Sequence, residues 1–206
     1  MPMFPLGSVL FPYMPLPLRV FEERYLVMLS RILNSEPAEF GVVLIERGQE
    51  VGGGEHRFSV GTIAQIVQLD ATEEFIVLVA EGERRIEVIE WLDEDPHPHA
   101  SIRTLANLEW TDDLRPLCDR AEDAVRSALR LAEQFGDQLW SPDVELSSDP
   151  MAAVWQLAAV APLGPLDQVA LLRSATTKEL LEAVIAACGG IESSLGSGWP
   201  DEQPEA

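Results

Sequence analysis

The chain has 206 residues and 47% apolar content, enough for one domain with an ordinary core, and no stretch approaches the roughly 18 apolar residues of a membrane span. Its formal charge is −21 and Lys178 is its only lysine. That balance argues against nucleic-acid binding, which rests on neutralising phosphates with Lys and Arg; the acidity runs through both halves, as a solubilising surface would.

The first twenty-five residues, MPMFPLGSVLFPYMPLPLRVFEERY, are apolar and rich in proline. Pro2, Pro5, Pro12, Pro15 and Pro17 cannot sit in a helix interior or a central strand. The leader is therefore expected to be an extended ribbon, paired in short pieces and laid over a core. Phe4, Leu6, Val9, Leu10, Phe11, Leu16, Leu18 and Val20 supply its apolar side chains. It is not a secretory signal, because its first basic residue, Arg19, follows the apolar run and prolines break that run. Two cysteines, Cys118 and Cys188, make no disulfide framework and match no zinc spacing. A cytoplasmic location is expected.

Residues 21–33 place Phe21, Tyr25, Leu29 and Ile32/Leu33 on one helical stripe, with Glu22 and Glu23 in the first turn. Residues 40–46, FGVVLIE, read as a buried strand. A loop with Gly48, Gly52, Gly53 and Gly54 follows. Residues 57–69 read as a long strand whose alternation changes phase near Gly61, as at a bulge. The runs 74–81 and 84–92 read as two strands around a turn at Gly82-Glu83. The second of them changes phase between Val88 and Ile89. A last strand is expected at 99–108. Strands at this spacing suggest an antiparallel barrel or sandwich.

The period then changes. Leu114, Leu117, Cys118, Ala121, Val125, Ala128, Leu129, Ala132 and Phe135 form one helical face, with Glu122 and Arg126 paired at i, i+4. Asp149-Pro150 reads as an N-cap and N1 proline for a helix to about Val160, ended by Pro162 and Pro165. A short helix is expected at 166–173. Thr176-x-x-Glu179 resembles a capping box for a last helix, stopped at Gly189-Gly190. Strands followed by helices mean an α+β fold. The expected division is a barrel subdomain over 1–110, a helical subdomain over 111–192 and a disordered acidic tail over 193–206.

Few constellations could carry chemistry. The stretch EVGGG at 50–54 lacks the lysine of a phosphate loop and is flanked by Glu50 and Glu55, so it reads as a connection. His97-Pro98-His99 could share one side of an extended chain, but a metal needs a third ligand. No metal and no cofactor are expected, and this segment reads as a surface loop. Cys118 and Cys188 read as core residues, and no acid–base pair stands out among the many carboxylates. Trp110 and Trp140 fall near the seams between the strand half and the helices. With Trp91, Trp155 and Trp199 they read mostly as core or seam packing, while aromatics in a cleft between the subdomains would grip apolar side chains of a partner.

The segments MFPLGSVLFPYMPLPLRVFEERY, FGVVLIERGQEVGG, VGTIAQI and EGERRIEVIEW, followed by DPMAAVWQLAAVAPLGPLDQVALL, occur in that order. They resemble the N-terminal, substrate-binding LON domain of ATP-dependent Lon proteases and its free-standing bacterial relatives, over about residues 3–190. One departure is Tyr13-Met14, where relatives commonly have a glycine after Phe-Pro. The resemblance implies a small PUA-like β-barrel followed by a C-terminal helical bundle. It also implies a non-catalytic module that binds unfolded polypeptide segments or a protein partner, such as a protease. Neither a Walker sequence nor a plausible Ser–Lys dyad is present, so no enzyme activity is expected. Positions matched to the motifs suggest a binding surface of Arg19, Glu22, Arg24 and Tyr25 with Arg47, Glu50, Gly52 and Gly53. The bland reading makes these residues helix-end contacts and turn glycines. An RNA-binding PUA-like module is the alternative function, opposed by the charge, and a hydrolase or small-molecule regulator is a third.

Overall fold

The computed structural model describes residues 1–46, 57–72, 74–134 and 139–196, the side chains of 192–196 excepted. Strands precede helices, so the class is α+β. The leader is extended and forms β1 (Met3–Leu6) and β2 (Pro15–Val20). In β2 the pleat turns Pro15, Pro17 and Arg19 outward and Leu16, Leu18 and Val20 toward the core. Helix α1 (Glu23–Ile32) buries Tyr25, Met28, Leu29 and Ile32 against the sheet. Phe21, expected on that stripe, lies before the helix and is exposed. Four more strands complete the sheet: β3 (Glu39–Ile45), β4 (Arg57–Ala71), β5 (Ile76–Leu92) and β6 (His99–Thr104).

The expected turn at Gly82-Glu83 does not exist, because β5 is one strand of 17 residues. Both its edges are occupied. β4 runs antiparallel along one edge, from Ala71 opposite Ile76 to Val60 opposite Glu87. The other edge is shared, with β2 on Ile76–Glu81 and β6 on Ile86–Leu92. Gly82 lies in the gap between them, where the leader crosses. The Tyr13 N–H donates to the Gly82 carbonyl at 2.7 Å, and the Gly82 N–H donates to Met14 at 2.9 Å. A Cβ on Gly82 would stand 2.1 Å from the Phe11 carbonyl oxygen. This glycine permits a crossing of two backbones, and the sequence signal for a turn is the same signal. Gly61 plays the matching part on β4, where a Cβ would stand 2.0 Å from the Val42 carbonyl oxygen. Both expected bulges are present, as register shifts between Thr62 and Ala64 and between Val88 and Glu90.

The sheet is an open path, β1-β3-β4-β5-β2 with β6 on β5, and not the closed barrel that the resemblance implied. β1 pairs with β3 in parallel. The curl returns on itself at one isolated bridge, Pro2 to His99, supported by the Met3 N–H on the Pro98 carbonyl and the Ala100 N–H on the Met1 carbonyl. Pro2 and Pro98 have no N–H to give, so that seam cannot lengthen into a ladder.

After β6 the chain makes a short 3-10 turn (Asp112–Leu114) and then α2 (Arg115–Glu133), α3 (Pro150–Val160), α4 (Pro165–Leu172) and α5 (Thr177–Gly196). Asp149 caps α3, its Oδ1 accepting from the Ala152 N–H at 2.8 Å. Pro165, expected as a stop for α3, is the first residue of α4, where a missing N–H costs nothing. Thr176 Oγ1 accepts from the Glu179 N–H at 3.1 Å, and the Glu179 carboxylate accepts from the Ala175 N–H at 2.9 Å. Gly189 and Gly190 do not stop α5, which continues to Gly196 with both glycines exposed. An exposed helical glycine costs only about 1 kcal/mol. Phe135 and residues 197–206 lie outside the described residues. α2 packs along α5, and the apolar cluster among α2–α5 includes Phe11 and Val60 from the sheet side.

The helices are fastened to the sheet by Arg85, on β5 opposite Thr62 and only 5% exposed. Its Nη1 donates to the carbonyls of Leu172 (2.8 Å) and Ser174 (2.7 Å), at the C-terminal end of α4. Its Nη2 donates to the Ala106 carbonyl at 2.6 Å, in the link between β6 and α2. The guanidinium lies 5.1 Å from the Trp155 ring centroid. Burial pushes its pKa down from the usual value. Three carbonyls and the negative end of a helix replace the water that a buried cation has lost.

Two predictions follow from this packing. Gly61→Ala and Gly82→Ala should each lower stability by about 1–3 kcal/mol or more, while Gly189→Ala, with open space around its Cβ, should raise it by about 0.5–1 kcal/mol; urea denaturation midpoints read both signs. Arg85→Met leaves three carbonyls without a donor and should cost roughly 2–4 kcal/mol, with Arg85→Lys intermediate, measured by denaturation followed at tryptophan emission.

Candidate recognition groove

Above Arg85 the sheet and the helices leave a groove of about 230 Å³. Trp155 and Leu108, both buried, belong to its lining, and Met151 of α3 stands across from Tyr13 of the leader. Glu81, Glu83 and Arg84 of β5 contribute its exposed polar part. The leader loop is fixed by its two bonds to Gly82 and by the buried Thr62 hydroxyl, which donates to the Leu10 carbonyl at 2.6 Å. Phe11 sits behind the loop, its ring 6.1 Å from that of Trp155.

Tyr13 is the unusual residue here. Its φ is 61°, the left-handed region that favours glycine, and it is 44% exposed. It belongs to Tyr13-Met14, the segment at which the resemblance noted from the sequence breaks. A non-glycine residue there carries strain of about 1–2 kcal/mol. The chain holds an aromatic ring at the mouth of the groove in spite of that cost.

The residues singled out from sequence lie elsewhere. Arg19 is on the outward face of β2, its guanidinium 3.8 Å from the Phe75 ring centroid. Glu22 precedes α1 without capping it and pairs with Arg24 at 3.0 Å. Arg24 lies over the Tyr25 ring at 4.6 Å. Tyr25 itself is buried and stacked on Phe4, with centroids 3.9 Å apart. Glu22, Arg24 and Tyr25 come together at the start of α1 while Arg19 sits on Phe75, and none of the four lines the groove. Arg47, Glu50, Gly52 and Gly53 lie outside the described residues. Trp110 donates its indole N–H to Asp112 and packs on the helical core, while Trp140 is partly exposed. The sequence does not single out Arg85, and it offers Trp155 only as one of five tryptophans. The first had a signal, since two adjacent arginines in a strand cannot both face water when side chains alternate. For Trp155 the helix is apolar on most sides, so periodicity does not tell which side faces the seam.

His97, expected in a surface loop, is fully buried. Its Nδ1 lies 3.2 Å from the Pro98 carbonyl and its Nε2 lies 3.5 Å from Arg31 Nη1. A carbonyl only accepts and a guanidinium only donates, so the ring is neutral with its proton on Nδ1. With both nitrogens engaged it is no metal ligand, and among the described residues no three His, Cys, Asp or Glu side chains gather as a metal site would need. Arg31 also donates to the Asp95 carbonyl at 3.1 Å, tying α1 to this loop. Burial, with the neighbouring charges of His99 and Arg31, pushes the His97 pKa down; the Pro98 bond and Asp95 oppose this. The unfolded chain therefore takes up a proton first as pH falls below about 6.5. His97 should contribute stability that is intact above that pH and is lost progressively below it. Wild type minus His97→Gln, compared by denaturation at several pH values, should isolate that loss.

Among the described residues no helix is long and apolar enough to cross a membrane. The chain is 32% identical over 117 residues to a Lon protease of Anaeromyxobacter dehalogenans and 28% identical over 144 residues to one of Magnetococcus marinus. These stretches are 55% and 66% of this chain but only 14% and 18% of the proteases. None of the relatives named here is described as binding RNA. The fold matches a Lon N-terminal domain protein from Xanthomonas campestris, with a TM-score of 0.62 and 24% identity over 90% of this chain and 96% of that one. It also matches the N-terminal domain of the Mycobacterium avium complex Lon protease, with a TM-score of 0.63 and 18% identity over 91% and 97%. The sequence model of the substrate-binding domain of the ATP-dependent protease La (LON) matches residues 1–187, and the chain belongs to that family.

Proposed function

We propose that this chain is a non-catalytic recognition module that takes up unfolded polypeptide segments, or a docking segment of a protein partner, in the groove between sheet and helices. Residues 1–110 would supply one wall, and the helices of 111–192, acting as a bundle, the other. The matched part of the Lon proteases is the substrate-binding domain and not their ATPase or protease parts, which supports a role without a hydrolytic step. We place that role in the cytoplasm. The observation that carries the reading is Tyr13, an exposed aromatic kept in a strained conformation at the mouth of the groove. Strain retained in this way is characteristic of ligand clamps. The patch of Arg19, Glu22, Arg24 and Tyr25, with Arg47, Glu50, Gly52 and Gly53, is the competing surface for the same function.

Two substitutions separate these surfaces. Tyr13→Gly removes the ring and relieves the strain, and the added chain entropy of glycine, about 0.5–1 kcal/mol, offsets most of that relief. Its melting temperature should stay within a few degrees of wild type. Its affinity for a labelled, permanently unfolded polypeptide, read by fluorescence anisotropy, should fall about tenfold. Arg24→Ala should leave affinity unchanged. A loss of affinity in Arg24→Ala alone, with stability intact, would move the site to the start of α1.

A further inference from the structure

We propose that the groove selects segments in which an apolar side chain is flanked by lysine or arginine. This rests on the reading just given and specifies what it captures. The cavity, about 230 Å³, is smaller than the roughly 300–1,000 Å³ of pockets that enclose drug-sized ligands. It has room for a large side chain with its own backbone. Tyr13 and Met151 give that side chain an apolar edge, with Trp155 and Leu108 buried behind them, while most of the accessible lining is polar.

The selection comes from the rim. Glu81 and Glu83 are exposed there, and neither has a cationic partner among the described residues. The two nearby cations are already committed. Arg84 Nη2 lies 3.0 Å from both carboxylate oxygens of Glu39. Arg85 is bound by three carbonyls. Buried and bound in this way, Arg85 is not free to neutralise the rim carboxylates. The charge of −21 attracts basic chains from a distance, but at about 0.1 M salt fields fade within roughly 10 Å. Once a segment is seated, the rim carboxylates decide. They favour a flanking cation and repel a flanking carboxylate.

The test uses the full chain and three labelled peptides with one common aromatic centre and flanks of lysine and arginine, of glutamine, or of glutamate. At about 50 mM salt the basic peptide should bind about three- to tenfold more tightly than the neutral one, as two exposed ion pairs allow. The acidic peptide should bind most weakly. In the Glu81→Gln, Glu83→Gln double variant, and for wild type at about 500 mM salt, the basic preference should fall below about twofold. Both substitutions are on exposed side chains and should leave the melting temperature unchanged. Binding of all three peptides without preference, or a preference that survives the double variant, overturns the selection and leaves the capture function standing. Binding of none of them overturns both.

Discussion

The arrangement of the two halves depends on one buried cation. Arg85 draws together three chain segments that are far apart in sequence: β5, the link after β6 and the end of α4. No carboxylate is involved. A carboxylate would have to be desolvated as well, whereas carbonyls at a helix end need a donor in any case. One side chain thus solves two problems, the exposed polar end of α4 and the docking of an apolar helical layer on a sheet. Trp155 closes the contact by lying against both the guanidinium and Phe11.

The groove is a by-product of this fastening. β5 is longer than either strand beside it, and β2 and β6 leave a gap on its edge. The leader loop crosses at that gap because Gly82 lets it approach, and the crossing sets Tyr13 facing α3 across the cavity. The position of the groove therefore follows from sheet register and one glycine, and its chemistry follows from the alternation of β5. Glu81 and Glu83 share one phase of that strand. The acidic rim and the interior cation are residues of a single element.

Much of the architecture could be read from the residues. The leader's prolines forced extended chain, the change from period 2 to period 3.6 marked the passage from sheet to helices, and the caps at Asp149 and Thr176 set two helix starts within a residue. The failures share a cause. Gly82, Pro165 and Gly189-Gly190 were each taken as punctuation. Local propensity records what a glycine or proline permits, and tertiary context decides which of those options is used. At Gly82 it is a backbone crossing, at Pro165 a first helical turn, and at Gly189-Gly190 an exposed face that tolerates the loss. The burial of His97 was equally illegible, because its partners come from α1, some sixty residues earlier in the chain. The site was the least legible part. Tyr25, conspicuous in a motif, is buried on Phe4, and the groove is assembled from the leader, β5, the linker and α3.

β2 ends the strand path, so one of its sides has no neighbouring strand among the described residues. In an antiparallel ladder alternate residues address opposite sides. Since Pro15 and Pro17 have no N–H, the bonds to β5 must come from Leu16, Leu18 and Val20. The open side then presents a single donor, that of Arg19. A loose polypeptide drifting along this border finds almost nothing to zip onto. Under the capture function proposed above, the domain could meet unfinished chains repeatedly without becoming the seed of a fibril.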